Sequence, residues 1–250
     1  MAKASGPFCI PNLRHVLGLE FPARPHAVIP HNVIIRNGGT AMRRLVISGP
    51  KGGIGKATLS RNLAVAAAID GLSVATLDLD MQRSLTKWYS KRPDDMAPIQ
   101  HYESTMAKDD VKDALDGIQV HDLLIIDTPP SIEDHPESFR MLANVATLML
   151  IPTGQSDDDL DSVRPWMRFV RKNQVEAAFV LNRVKPRARS FVEAKAILVK
   201  EGRVCPIEVP DYEDIAFTSS RGIGLLELKG GRGSEYVAGV WAFVRAEMGI

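Results

Sequence analysis

Residues 49–58 read GPKGGIGKAT and lie between a short apolar run, Leu45–Ser48, and a helical stretch from about Lys56 to Asp70. A glycine-rich loop that follows a strand and opens a helix is the context of a phosphate-binding loop. Its glycines let backbone amides converge on phosphate oxygens, and the helix N-terminus adds partial positive charge. Lys56 adds a full charge for the β- and γ-phosphates. The alternative is a glycine-rich turn that binds nothing.

We therefore predict a nucleoside triphosphate, ATP, as the ligand of this loop. The residues predicted to contact it are Lys51, Gly52, Gly53, Ile54, Gly55, Lys56, Ala57 and Thr58.

Two acidic motifs follow further along the chain. Asp78 and Asp80 come at the end of the next apolar run, where one carboxylate can position an attacking water. Asp127 ends the run DLLIID and is followed by Thr-Pro-Pro, which suits a carboxylate that supports magnesium beside a nucleotide. Taken singly, the first motif could be a turn that caps a short helix at Ser84–Tyr89, and the second could be an aspartate that merely ends a strand.

Strand-length apolar runs alternate with helical stretches throughout residues 42–250, and the runs are unbroken Val, Ile and Leu. This pattern predicts a doubly wound, mainly parallel α/β sheet with helices on both faces. The predicted strands are Leu45–Ser48, Ser73–Leu77, Ile99–Tyr102, Leu123–Ile126, Thr147–Ile151, Ala177–Leu181 and Val204–Val209. The predicted helices after the first are Leu85–Tyr89, Asp109–Asp116, Glu137–Ala143, Asp157–Lys172, Phe191–Lys200 and Glu235–Met248.

Residues 1–41 differ from the rest, because they are rich in proline and have no long period. We expect a flexible N-terminal extension, or alternatively a chain whose translation begins at Met42. The 250 residues have a net charge of +1, so any nucleic-acid surface must come from local clustering. Two distant cysteines and no long apolar run predict a cytoplasmic protein without a membrane span.

Together, Lys51-Gly-Gly-Ile-Gly-Lys56, Asp78-x-Asp80-x-Gln82 and Asp127-Thr-Pro-Pro130 resemble the ParA/MinD superfamily of deviant Walker A ATPases. The resemblance covers about residues 43–250. Within the superfamily the chain looks most like ParA-type plasmid or chromosome partition ATPases. MLIPT at Met149–Thr153 and the VLNR sequence ending at Arg183 also resemble family segments.

The resemblance implies a role for each matching residue. Lys51 would reach across a homodimer interface to the partner's ATP, and Lys56 would bind phosphate in its own subunit. Asp80 would orient the hydrolytic water, and Asp127 would support Mg²⁺, with Asp80 as a second metal-site candidate. At the base, Asn182 would contact adenine, and the backbone near Pro210 and Asp211 would close the pocket.

Three positions depart from the family pattern. Ala57 stands where the family has the serine or threonine that ligates magnesium, so metal binding and hydrolysis are in doubt. Met81 and Arg83 stand where many members have proline and glycine, so the turn after Asp80 could move differently.

A basic cluster follows the predicted base-contact strand, and in ParA-like ATPases this region binds DNA without sequence preference. Such binding is electrostatic. The alternative is an ordinary solvated helix face. The residues predicted to bind DNA are Arg183, Lys185, Arg187 and Arg189, with Lys195, Lys200 and Arg203 in the same cluster.

Two further patterns favour structural interpretations. The acidic run Asp157–Asp159 is expected to complement a helix dipole rather than to bind metal. The apolar segment Tyr236–Val244 is expected to be a core helix rather than a membrane-surface helix, because it lacks a basic face.

The sequence thus predicts a slow, partner-stimulated ATPase that dimerises with ATP, binds nucleoid DNA and acts with a ParB-like centromere-binding partner. An alternative is a positioning or assembly ATPase of the same superfamily acting on a protein cargo, conjugation machinery or membrane. A third hypothesis, a non-switch enzyme such as an amidoligase or metallochaperone, is disfavoured by the lack of a substrate domain and of paired cysteines.

Overall fold

A computed structural model describes residues 41–250. The predicted N-terminal extension, residues 1–41, therefore lies outside the described residues except for Ala41. The strands are β1 (Arg43–Ile47), β2 (Val74–Asp78), β3 (Gln100–Glu103), β4 (Leu123–Asp127), β5 (Leu148–Thr153), β6 (Ala177–Val184), β7 (Arg203–Val204) and β8 (Val209–Pro210). The helices are α1 (Lys56–Ile69), α2 (Ser84–Tyr89), α3 (Lys108–Gly117), α4 (Pro136–Val145), α5 (Asp157–Lys172), α6 (Arg189–Glu201), α7 (Glu213–Ser220) and α8 (Ser234–Met248).

The strands form one parallel sheet in the order β3-β2-β4-β1-β5-β6-β7, with β8 paired to β6. In the ladder, Ile47 lies opposite Asp127, and Asp78 lies opposite the same residue on the other side. The loops that follow β1, β2 and β4 therefore leave the sheet at one edge. In open parallel sheets that edge is where ligands bind, so the topology brings the three sequence motifs together.

Side chains along the central strands alternate between two hydrophobic cores, one on each face of the sheet. Leu45 and Ile47 pack on one face of the sheet, in a cluster with residues of α1 and α8. Val46 packs on the other face, in a cluster with residues of α3 to α6. Because both faces are covered by helices, every residue of β2, β4 and β5 is buried, which is why these strands are continuous apolar runs. The predicted fold class is confirmed.

Two segments near the carboxyl end differ from the prediction. The strand predicted at Val204–Val209 is wrong: two separate two-residue strands, β7 and β8, flank the segment 205–208. Pro206 lies in that segment and cannot donate to a strand ladder. The helix α7 has no counterpart in the sequence prediction. It has weak apolar periodicity, with Ile215 and Thr218 as its buried residues.

Candidate nucleotide-binding site

The loop between β1 and α1 has a backbone that depends on glycine. Gly53 and Gly55 have φ of 76° and 91°, a left-handed region that side chains rarely adopt. A Cβ on Gly55 would lie 2.1 Å from Nδ2 of Asn182. The same Asn182 nitrogen donates a 2.7 Å hydrogen bond to the Ile54 carbonyl oxygen. The end of β6 thus braces the loop from the side, and only glycine at position 55 leaves room for this contact.

Lys56 points into the loop that precedes it. Its side chain is buried, and Nζ donates a 2.9 Å hydrogen bond to the Lys51 carbonyl oxygen. Burial lowers the pKa of the Lys56 ammonium, while the charges of Asp127, Asp80 and Glu133 raise it. A buried cation with few neutralising contacts suits a phosphate, which would restore the lost solvation.

Asp127 forms the floor of the same region. Its carboxylate is buried, and Oδ1 accepts a 3.0 Å hydrogen bond from the Ser60 hydroxyl. Burial, helped by the negative charge of Asp78, raises the pKa of Asp127 to about 8, against the lowering effects of Ser60 and Lys56. A cation placed here would return this carboxyl group to its charged form.

Asp78 and Asp80, the two aspartates at the end of β2, have different roles in the structure. Asp78 is fully buried, and its Oδ1 accepts from the Asp80 backbone N–H at 3.0 Å. Its Oδ2 accepts from the backbone N–H and the hydroxyl of Thr86, both at 2.9 Å. Asp78 therefore anchors the first turn of α2. Asp80 accepts from the Gln82 N–H at 2.9 Å and lines the cavity. Asp78 thus has the helix-capping role that the sequence allowed for this motif. Asp80 faces the cavity, as predicted.

Arg83 holds a left-handed backbone conformation that favours glycine. Its φ is 52°, in the left-handed region. Nη1 of Arg83 donates to the carbonyl oxygens of Asp78 at 2.8 Å and Ser104 at 2.7 Å. These two bonds tie the turn after Asp80 to the loop after β3, and they offset the backbone cost.

Lys51 leaves the phosphate loop on the side of α5. Nζ donates to the Asp158 carbonyl oxygen and lies 3.6 Å from Oδ1 of Asp159. Its side chain is about a third exposed. In the single chain the side chain of Lys51 therefore contacts the first turn of α5.

Another wall of the cavity is formed by residues after β6 and β8. Arg183 donates from Nη1 to the Gly53 carbonyl oxygen at 3.0 Å, and its Nε lies 3.4 Å from Oδ1 of Asp211. Asp211 and Tyr212 line the cavity, whereas Pro210 and Asn182 are buried and do not line it. Arg183, predicted among the DNA-binding residues, is thus directed toward the phosphate loop.

A single cavity of about 680 Å³ connects these parts. It is lined by residues of the predicted site: Gly52, Gly53, Gly55, Lys56, Ala57, Thr58, Asp80, Asp127, Arg183 and Asp211. Two further lining residues, Gln82 and Pro130, belong to the quoted motifs without having been assigned a role. The cavity is also lined by residues that no motif identified: Arg61, Ser84, Lys87, Trp88, Lys91, Tyr212, Ile215, Ala216 and Ser219. Ile54 and Asn182 instead line a neighbouring cleft of about 340 Å³, beside Asp159.

The donor set suits a magnesium ion held chiefly by the nucleotide. Magnesium usually takes one or two carboxylates together with substrate phosphates. Asp127 and Asp80, the predicted metal-site residues, both line the cavity, whereas the side chain of Ala57 has no oxygen and packs on the core. Within residues 41–250, no group of three or more His, Cys, Asp or Glu side chains is arranged to hold a metal on its own.

The other predicted DNA-binding residues lie on the surface. Lys185, Arg187 and Arg189 are exposed in the β6–α6 connection and the first turn of α6, and they form no ion pair within the described chain. Two cations of the wider cluster are neutralised: Lys195 lies 3.8 Å from Glu208, and Arg203 pairs with Glu247.

The structure places both of the segments with structural interpretations in helices. Asp157–Asp159 form the first turn of α5, whose N-cap Ser156 accepts from the Asp159 N–H. The helix α8 buries Val237, Val240 and Trp241 in the core. In the described part of the chain, no helix combines the length and apolar character that crossing a bilayer requires.

Comparisons with known proteins agree with this geometry. Residues 45–226 match the CobQ/CobB/MinD/ParA nucleotide-binding domain. Protein virC1 of Rhizobium rhizogenes is 27% identical over 198 residues, which are 75% of this chain and 84% of that protein.

Two solved structures share the fold. A plasmid partition protein from Borrelia burgdorferi bound to AMPPNP has a TM-score of 0.64 and 17% identity, over 82% of this chain and 99% of that one. The cell division ATPase MinD of Pyrococcus furiosus has a TM-score of 0.68 and 17% identity, over 82% and 98%.

Proposed function

Because the chain belongs to the CobQ/CobB/MinD/ParA family of P-loop ATPases, we propose that it is an ATP-dependent dimerising switch that binds DNA without sequence preference. It takes part in plasmid or chromosome segregation. Its place is the bacterial nucleoid, and a ParB-like centromere-binding protein stimulates its hydrolysis.

The observation that carries the proposal is the pair of lysines on one loop. Lys56 is buried and directed into its own cavity, whereas Lys51 is partly exposed and directed away from it. Two lysines on one loop that point in different directions suit a nucleotide site that is shared by two subunits. Leaving Asp159 for the partner's phosphates would give Lys51 a stronger ionic contact. Dimerisation would then be linked to ATP, because that contact exists only when the phosphates are bound.

Hydrolysis in this proposal uses Asp80. The carboxylate lines the cavity, and its turn is held by Asp78 and Arg83, so it can orient a water against the terminal phosphate. Asn182 and the Pro210–Asp211 backbone are proposed to surround the adenine. Bound magnesium would neutralise charge on the phosphates, and without a hydroxyl at Ala57 we propose a slow basal rate that a partner raises.

DNA binding is assigned to Lys185, Arg187 and Arg189. Their charges are exposed and unpaired within residues 41–250, the state needed to replace counterions along a phosphate backbone. One chain offers a small patch, and a dimer would present two, which raises avidity without any new contact. ATP-dependent dimerisation would therefore switch DNA binding on.

DNA retention tests this function. The wild-type protein with a slowly hydrolysed ATP analogue should retain a random-sequence duplex at low salt, and retention should fall steeply toward physiological salt. The variant R187E/R189E should lose most of this retention while binding nucleotide normally. K112E/R140E makes the same charge change on α3 and α4 and serves as the control.

Retention that is equal in R187E/R189E and wild type would overturn the DNA surface. Nucleotide-dependent dimerisation with no DNA binding at all would favour the alternative, a positioning or assembly ATPase with a protein cargo, conjugation machinery or membrane. That alternative has support in the fold shared with a cell division ATPase.

A further inference from the structure

Arg61 occupies a place in the cavity that none of the motifs explains. It lies on α1, three residues after Thr58 and so on the same face of the helix. The side chain is only 6% exposed, yet it lines the cavity. A guanidinium group is rarely buried to this degree unless an ionic partner accompanies it.

The protein leaves this guanidinium largely unsatisfied. Nη2 donates a 3.0 Å hydrogen bond to the Ile215 carbonyl oxygen, and Nε is buried with no hydrogen-bond partner within residues 41–250. Burial lowers the pKa of Arg61 to about 10, and the nearby Asp127 partly opposes this. An anionic ligand in the cavity would supply the missing acceptors, because arginine presents a fork of five donors that matches phosphate oxygens.

The charges around the cavity favour the same ligand. Five lining residues are basic: Lys56, Arg61, Lys87, Lys91 and Arg183. Three are acidic: Asp80, Asp127 and Asp211. Since Arg183 and Asp211 lie against each other, the remaining four cations face two carboxylates. The cavity therefore carries an excess of positive charge from side chains alone.

The position that ligates magnesium in related phosphate loops lacks a side-chain oxygen in this protein. Related phosphate loops hold magnesium with a hydroxyl at the position of Ala57. Here that oxygen is missing, whereas a buried cation lies one turn further along the same helix. In this chain α1 therefore combines an alanine at the metal-ligand position with a cavity-facing cation one turn later.

We propose that Arg61 binds the phosphates of the nucleotide and supplies charge compensation that a loop-bound magnesium ion supplies in related sites. Nucleotide affinity in this protein then depends only weakly on magnesium. This inference rests on the proposed function, because it concerns the same nucleotide.

The test compares the affinity for ATP in excess magnesium with that in EDTA, for the full chain, by titration calorimetry. Wild type should bind in EDTA within about threefold of its affinity in magnesium. Arg61→Met should weaken binding in EDTA by about tenfold or more, the value of a lost charge-assisted hydrogen bond. Arg61→Lys should fall in between, and Lys112→Met, which removes a charge outside the cavity, should match wild type.

Each outcome has a separate meaning. Equal EDTA affinities for Arg61→Met and wild type would overturn the role of Arg61. Wild-type binding that disappears in EDTA but is tight in magnesium would overturn the inference and leave the proposed function intact. No ATP binding under either condition would overturn both. Thermal unfolding of each variant identifies loss of the fold, and the Arg61→Lys result still decides the matter if Arg61→Met does not fold.

Discussion

The phosphate end of the cavity is formed by loops that leave β1, β2 and β4, whereas the far end is formed by the faces of α1, α2 and α7. At the phosphate end, Asp127 is the last residue of β4, Asp80 follows β2 by two residues, and Lys56 begins α1 after the loop that follows β1. At the far end, Trp88 projects from α2, and the opposite wall comes from Ile215 on α7. Arg61 on α1 lies between the two ends, because it bonds to the Ile215 carbonyl oxygen and also interacts with the charge of Asp127.

The two ends are also held by different forces. The loops of the phosphate end are fixed by backbone geometry and by hydrogen bonds to Asp78 and Asn182. The far end is fixed by a buried ion pair: both terminal nitrogens of Arg92 bond to the Glu227 carboxylate, and both side chains are almost inaccessible. Local geometry thus sets the chemistry, and tertiary packing sets the wall that encloses it.

The largest expected effect comes from breaking the far end. Arg92 also donates to the carbonyl oxygens of Gly222 and Ala97, and Trp88 donates to that of Ile223. Glu227→Ala would leave a buried guanidinium without its carboxylate, which costs about 3 to 5 kcal/mol of unfolding free energy. Urea denaturation measures this. A loss below about 1 kcal/mol would show that the ion pair is not what holds this wall.

A smaller effect is expected at His101 on β3, whose side chain connects β2 to α2. Its Nδ1 lies 2.9 Å from the Thr76 hydroxyl, and its Nε2 lies 3.0 Å from the Thr86 hydroxyl, which in turn donates to Asp78. Burial, with the nearby charge of Arg83, lowers the pKa of His101 to about 4. The imidazole therefore holds a proton more weakly in the folded chain than in the unfolded chain.

The contribution of His101 to stability is full above pH 6.5, the unfolded value, and is lost as the pH falls toward 4. We expect about 2 kcal/mol of acid-dependent stability from this residue, since the shift is partly screened by solvent. Urea titrations at several pH values should show a shallower acid slope for His101→Asn than for wild type. Identical slopes would contradict the assignment.

The smallest effect on the fold, and the sharpest on the ligand, is expected from Ala57→Thr. A restored hydroxyl should lower the magnesium concentration needed for half-maximal hydrolysis by roughly tenfold, because it adds a direct ligand to the ion. Unfolding free energy should change by less than about 0.5 kcal/mol. Ala57→Val, of similar size but without a hydroxyl, is the control. Unchanged turnover and magnesium dependence in Ala57→Thr would show that the missing hydroxyl at position 57 does not limit magnesium binding or hydrolysis.

The same contrast explains how much the sequence could predict. Residues 123–127 read LLIID, and an unbroken apolar run of that length can only be a buried strand or a short buried helix; the following motif favours the strand. Asp127 is therefore placed by local pattern alone. The same holds for Lys56 and Asp80, because strand, loop and helix are contiguous in the sequence.

The far end could not be predicted in this way. The helix α7 reads EDIAFTSS and has no clear apolar period, so its place against α1 depends on contacts that are distant in sequence. For Arg61, one feature of the sequence could have indicated a role. It is a cation within the segment LSRNLAVAAAI of α1, which is otherwise too apolar to lie on the surface. A charge in such a helix must meet a partner or a ligand.

The central claim is that ATP assembles a two-subunit site through Lys51. Light scattering of the full chain with a slowly hydrolysed ATP analogue tests it most directly. We expect a dimer for wild type, a monomer for Lys51→Ala, and equal nucleotide binding by both, since Lys56 and the loop amides remain. An equal dimer fraction in wild type and Lys51→Ala would contradict it.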